Sequence, residues 1–172
     1  MNRFKNKYRI NSTRLQGWDY TSPGWYFVTI CTRNRQPFFG HITNGVMHLS
    51  PIGKIADQYW REIPNHTAGH VSLDAHVVMP DHVHGIIVIH NRVIEASQRN
   101  VSTISPQAGS LGAIIRSYKA AVTRWCRRNG YTAFAWQPRY YDHIIRKKDD
   151  LIRIRQYILD NPQRWEMDRN KS

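Results

Sequence analysis

Cysteine is nearly absent from this sequence: Cys31 and Cys126 are the two in 172 residues, and most of the chain lies between them. That scarcity excludes a disulfide scaffold and a zinc cluster built on thiolates, leaving two reduced structural thiols. Long apolar runs are missing as well. The longest is strand-sized, so neither a membrane-spanning helix nor a secretory signal is expected, and the chain reads as cytoplasmic. Carboxylates are the third shortage, with 12 Asp and Glu against 25 Lys and Arg and a net charge of +13. An imbalance of that size calls for a polyanionic partner.

The basic residues are clustered rather than scattered, which generic solubility charge would not require. Arg3, Lys5, Lys7, Arg9 and Arg14 form an acid-free run within an N-terminal arm, residues 1–23, that shows no sustained period. Trp18 and Tyr20 in the same arm can stack on bases or fold back onto the domain. Arg116, Lys119, Arg124, Arg127 and Arg128 share one helical segment, also free of acid. Nucleic acid suits both clusters. An anionic membrane is disfavoured, because the apolar stripe of that helix is needed for the core. Without repeats, low-complexity tracts or a composition boundary, residues 1–172 read as one domain with a core of its own.

The centre of the chain is Val77-Val78-Met79-Pro80-Asp81-His82-Val83-His84-Gly85-Ile86-Ile87-Val88-Ile89. Two β-branched runs around a Pro-Asp break predict a hairpin of buried strands, Val71 to Val78 and Val83 to Ile89. Alternation along a strand puts His82 and His84 on one face, where both imidazoles reach a single ion. Histidines beside a turn can equally be solvated or bonded to the backbone, and two ligands do not make a metal site. A third has to come from elsewhere.

A candidate lies near the C-terminus. Leu151, Ile154 and Ile158 recur at helical spacing, Asp149 and Asp150 suit the helix N-terminus, and Pro162 is expected to end the pattern. Arg153, Tyr157 and Asn161, each four apart, form a polar stripe beside the apolar face. Arg153 is placed either to steady a phosphate or to pair with Asp149 or Asp150.

Between these stretches the pattern gives a strand from Trp25 to Thr32 and a small hairpin at His41 to Leu49, whose Asn44-Gly45 is a strong turn signal. A helix follows, capped by Ser50 with Pro51 in its first turn and running to Pro64. His76 reads as buried and hydrogen-bonded rather than as a ligand. Residues 90–110 lose periodicity and predict a flexible loop. Ser110 caps a second helix whose stripe is Leu111, Ile114, Ile115, Tyr118, Val122 and Trp125, with Arg116, Lys119 and Arg127 on its other side, suited to phosphates without sequence preference. A last strand is expected in the second half of Phe134 to Ile145, and residues 166–172 are expected to fray. Strand, helix, two strands, helix, strand and helix predict an α+β fold: a ferredoxin-like or RRM-like antiparallel sheet with helices on one face, plus the C-terminal tyrosine-bearing helix.

The two central stretches together resemble the HUH superfamily of single-strand DNA nucleases, specifically the single-tyrosine transposases. His82-Val83-His84 matches the HUH motif, and Tyr157 with Asn161 matches the family's tyrosine and amide ligand. Asp19-Tyr20, Gly24-Trp25-Tyr26-Phe27-Val28-Thr29-Ile30, Met79-Pro80-Asp81-His82, Ile114-Ile115-Arg116-Ser117-Tyr118-Lys119 and Tyr157-Ile158-Leu159-Asp160-Asn161-Pro162 narrow the resemblance to the REP-associated tyrosine transposases, over nearly the whole chain.

The resemblance implies catalysis by Tyr157 through a covalent 5′-phosphotyrosine. It further implies a divalent ion, Mg2+ or Mn2+, on His82, His84 and Asn161, and single-stranded or hairpin DNA as partner. DNA contacts are expected at Arg3, Lys5, Lys7, Arg9, Arg14, Arg116, Lys119, Arg127 and Arg153. A monomer associated with the nucleoid is expected, with a dimer as the alternative. Two other classes fit the same residues: a non-catalytic RRM-like nucleic-acid-binding module, and a metal nuclease that activates water instead of a tyrosine.

Overall fold

A computed structural model of the chain describes residues 3–4, 7–8, 15–91 and 109–169. The side chains of Arg3, Lys5, Lys7, Arg9 and Arg14 fall outside the described set, as do 92–108 of the expected loop. In the N-terminal arm, read from sequence as irregular, β1 (Arg3–Phe4) pairs antiparallel with β2 (Lys7–Tyr8).

Four strands form the main sheet: β3 (Gly24–Cys31), β6 (Val71–Val78), β7 (His82–Ile89) and β8 (Tyr141–Ile145). Their order is β6-β7-β3-β8, antiparallel throughout. With α1 (Pro51–Arg61) between β3 and β6, and α2 (Leu111–Arg128) between β7 and β8, the result is a ferredoxin-like βαββαβ unit. The hairpin of β4 (Gly40–Thr43) and β5 (Val46–Leu49) precedes α1. Asn44 and Gly45 at its tip have φ of 53° and 70°, the two left-handed residues that a tight hairpin turn demands.

Side chains alternate along β3 and β7, so each strand serves two cores. Tyr26, Val28, Ile30, Val83 and Ile87 meet Ile52, Ala56 and Trp60 of α1 and Ile115, Tyr118 and Val122 of α2. Phe27, Ile86, Val88 and Ile145 face the opposite way and pack on Ile154 and Ile158 of α3 (Lys148–Arg169). The tyrosine-bearing helix thus covers the sheet face that α1 and α2 leave open. Both α1 and α2 start as their caps predict: Ser50 Oγ accepts from Gly53 N at 3.1 Å and Ser110 Oγ from Ala113 N at 3.2 Å.

Two expectations are corrected. Pro162 does not end its helix, and the tail expected to fray from 166 is helical to Arg169. Proline removes one N–H from the ladder and strains the preceding turn, a cost of about 3 kcal/mol in a helix interior. Tertiary contacts beyond the proline offset it. Trp165 packs on His82, and Glu166 accepts from the hairpin tip, Asn44 N at 3.1 Å and Gly45 N at 2.5 Å.

The register of β6 carries an irregularity between Leu73 and His76. It separates two residues whose even numbering suggests one face. Asp74 turns to α3 and binds Arg155 through two hydrogen bonds of 2.7 Å, whereas His76 turns to α1, pairs with Asp57 at 2.8 Å and stacks on Trp60. His76 is therefore a structural histidine.

Gly85 lies beneath Trp60, where an added Cβ would stand 2.2 Å from Cζ2 of the buried indole. Replacing Gly85 with Ala should destabilise the fold by about 1–3 kcal/mol, read as a lower urea midpoint. Unchanged stability would show that the indole does not rest on this glycine.

Candidate active site

Strand β7 delivers both histidines to the α3 side of the sheet, and its neighbour β3 supplies Phe27 and Thr29 to the same face. His82 and His84 are almost fully buried there, with Nε2 atoms 2.9 Å apart. The far nitrogen of each ring is held: His82 Nδ1 lies 2.6 Å from Asp81 Oδ1, and His84 Nδ1 lies 2.8 Å from Thr29 Oγ1. Asp81 can only accept when ionised, so His82 carries its proton on Nδ1 and offers a lone pair at Nε2. Thr29 can donate or accept. His84 can therefore switch tautomer by rotation of one hydroxyl, without moving its ring.

Helix α3 crosses above the pair. Tyr157 Oη stands 3.4 Å from His84 Nε2, and its ring meets His84 and Phe27 at centroid distances of 5.3 and 6.2 Å. Eight residues on, the Trp165 ring lies 5.7 Å from that of His82. Tyr157, Asn161 and Trp165 follow at i, i+4 and i+8, so the residue between the two ring contacts is Asn161. It is buried, and its Nδ2 donates to Tyr157 O over a long 3.5 Å. Tyr157 itself is 37% exposed, so the residue lies at the border between the buried imidazoles and solvent.

The donor chemistry fits a divalent ion. Nitrogens on adjacent positions of a metal shell with bonds of about 2.1 Å lie about 3 Å apart, the spacing of the two Nε2 atoms. Each imidazole also has the second partner that orients a ligating histidine. No group of three or more His, Cys, Asp or Glu among the described residues could hold a metal, so a third protein ligand must be of another type. Asn161 and Tyr157 are the candidates the geometry provides.

No protein-family model matches the chain. It is 40% identical over 163 residues to an uncharacterized protein of Haemophilus influenzae (strain Rd), spanning 91% of this chain and 90% of that one. The chain belongs to that protein's family. Among solved structures, a REP-associated tyrosine transposase bound to a REP hairpin superposes on 95% of this chain and 74% of its own, with a TM-score of 0.58 and 21% identity. The fold is that of the REP-associated tyrosine transposase. A candidate transposase of Deinococcus radiodurans R1 gives a TM-score of 0.46 at 17% identity, over 86% of this chain and 95% of its own.

Other residues singled out from the sequence lie elsewhere. Arg153 is held by Asp150, one turn earlier on α3, and Asp150 also accepts from His143 Nε2 at 2.7 Å. Arg116, Lys119 and Arg127 sit on α2, beyond the opposite face of the sheet, where they line an open groove of about 990 Å³. Lys119 Nζ is tied to Gln137 O at 2.6 Å, and burial lowers its pKa. Tyr118 is core, donating to Ala56 O at 3.0 Å with its pKa pushed up by burial. Tyr141 is 47% exposed and flanks Phe27 edge-on at 6.4 Å, adding an aromatic wall to the site.

The sequence reading passed over Asp81, Thr29, Phe27, Trp165 and Arg164, whose guanidinium carbon lies 5.9 Å from the centre of the Tyr157 ring. Asp81 had a signal in its position directly before His82. Thr29 had one as a hydroxyl in an otherwise apolar strand.

Burial pushes His84 down to about 3, with the charges of His82 and Arg35 adding to the effect. The ring is neutral at pH 7, as a ligand must be. Its folded pKa is below the unfolded value near 6.5, so the unfolded chain takes up the proton first and stability falls as pH drops from about 6.5 toward 3. Metal-free protein should lose roughly 1–3 kcal/mol more between pH 7 and 4.5 than its His84→Asn variant, measured by urea unfolding in chelator. Parallel pH profiles would contradict a neutral, buried His84.

Proposed function

We propose that this chain is a metal-dependent single-strand DNA endonuclease and strand transferase of the transposase type, acting through a phosphotyrosine on Tyr157 and using hairpin DNA of the REP kind. The observation that carries this reading is the Tyr157 hydroxyl, 3.4 Å from one of two facing imidazole nitrogens. Likeness of fold to a transposase bound to a REP hairpin supports the substrate class.

His82, His84 and Asn161 would hold the ion. When bound it would polarise a non-bridging phosphate oxygen and neutralise charge that builds during the displacement. The remaining work falls to the chain's own residues. Phe27 and His84 pack on the Tyr157 ring and orient the phenol, and the partial exposure of the residue leaves it within reach of a phosphodiester from solvent. Arg164, paired with Asp160 at 4.0 Å, stands 5.9 Å from the centre of the ring and adds to its packing, and the phenol proton passes to solvent as the oxygen attacks.

Attack forms the bond from Tyr157 Oη to phosphorus and breaks the bond from phosphorus to the 3′ oxygen, which takes up a proton as a free hydroxyl. A phenol with pKa near 10 is a far better leaving group than an alkoxide, so the hydroxyl of the same or another strand can reverse the step and release Tyr157. Asp81 acts through His82, holding its tautomer and the orientation of its ring.

A labelled hairpin oligonucleotide with a single-stranded 5′ extension, incubated with Mn2+, should yield a covalent protein–DNA band on a denaturing gel. Tyr157→Phe should abolish the band, and His82→Ala or chelator should reduce it by 100-fold or more. Cleavage that survives Tyr157→Phe but not His82→Ala would instead assign a water-activating nuclease. Chelator-insensitive binding without any cleavage would assign a binding module.

A further inference from the structure

We propose that the turn Thr32 to Gln36 carries the phosphate backbone of a single DNA strand from the basic groove beside α2, around the sheet, to the Tyr157 site, with Arg33 and Arg35 as successive phosphate contacts. The proposal deepens the function proposed above and rests on it for the identity of the nucleic acid.

Three observations converge on this turn. The first is a charged path. Arg33 lines the same groove as Arg116, Arg124, Arg127 and Arg128, all exposed and without a carboxylate partner among the described residues. Asp19, the acidic residue in that lining, is already engaged by Thr21 through N at 2.8 Å and Oγ1 at 2.6 Å. The groove wall and the turn are joined, since Arg33 N donates to Ala135 O at 2.8 Å and Gln137 N to Cys31 O at 2.9 Å.

The second observation is the reach of Arg35. Its Nε donates to Asp81 Oδ2 at 2.9 Å, and Asp81 Oδ1 in turn holds His82. Nη1 points to Cys31 Sγ at 2.8 Å, and Nη2 remains for a phosphate on a side chain that is 49% exposed. A strand that touches Arg33 and then Arg35 has come from the groove to the rim of the imidazole pair.

The third is backbone conformation. Asn34 and Arg35 have φ of 54° and 56°, consecutive non-glycine residues in the left-handed region. Such strain persists only where the surroundings enforce it. Here the enforcing bonds are Thr32 Oγ1 to Gln36 O at 2.7 Å and to Asp81 O at 3.0 Å, together with the Arg35–Asp81 pair. They hold the turn that carries both arginines in a conformation its sequence alone would not keep.

The test is salt-dependent binding of a fluorescein-labelled hairpin oligonucleotide with a single-stranded 5′ extension, read by anisotropy on the full chain. Each phosphate contact to a single strand contributes about 0.7 to the slope of log K against log salt. Arg33→Gln, Arg116→Gln and Arg35→Gln should each lower that slope by about this amount, and Arg35→Lys should restore it. Arg61→Gln, on α1 away from the groove, should keep the wild-type slope. Wild-type slopes in the Arg33 and Arg116 variants would overturn the path, as would unchanged DNA slopes joined to lost binding of phosphatidylserine vesicles, which would assign the groove to a membrane. Failure of the proposed chemistry reads differently: full binding with the predicted slopes and no Tyr157 adduct keeps the path and removes the reaction.

Discussion

Two imidazoles buried side by side with their Nε2 atoms 2.9 Å apart cannot both carry charge, and cannot both present lone pairs unless something positive lies between them. The architecture around the site follows from that constraint. Asp81 settles the tautomer of His82, Thr29 accommodates either tautomer of His84, and burial keeps the proton off His84 well below neutral pH. Rigidity comes from the sheet. Cys31 pairs with His82 and Thr29 with His84 across β3 and β7, two central strands, so the backbone that carries both rings is held in the ladder.

The Tyr157 phenol is brought by a different element and has to be registered against that pair. Helix α3 is fixed along its length by polar contacts to separate parts of the fold: Asp150 to His143 on β8, Arg155 to Asp74 on β6, and Glu166 to the tip of the β4–β5 hairpin. Between them Ile154 and Ile158 bury the apolar stripe. The β4–β5 excursion thereby acquires a purpose that its small size conceals, since it anchors the segment beyond Pro162 on which Trp165 reaches His82. A ferredoxin-like sheet leaves one face open, and here a helix with a polar stripe lies across that face and encloses the candidate site.

Much of this was legible in the residues. Period-2 alternation placed His82 and His84 on one face, helical spacing placed Tyr157 and Asn161 on one stripe, and the turn and cap residues marked the main elements to within a few positions. What was not legible depended on partners distant in sequence. Pro162 reads as a stop because the local cost of proline is plain, whereas the anchoring of Trp165 and Glu166 is visible only in three dimensions. The divergence of Asp74 and His76 follows from a strand irregularity that no pattern in 71–78 announces. Arg153 had two readings open, and the nearer partner, Asp150, took it.

The account requires that a strand of DNA become covalently attached to one particular phenol. The direct measurement is mass spectrometry of a tryptic digest made after reaction with a hairpin oligonucleotide and Mn2+, followed by nuclease trimming. A nucleotide phosphate on the peptide spanning 156–164, at Tyr157, is the predicted result. Modification at Tyr140 or Tyr141 instead, or cleaved DNA with no modified peptide, would contradict it.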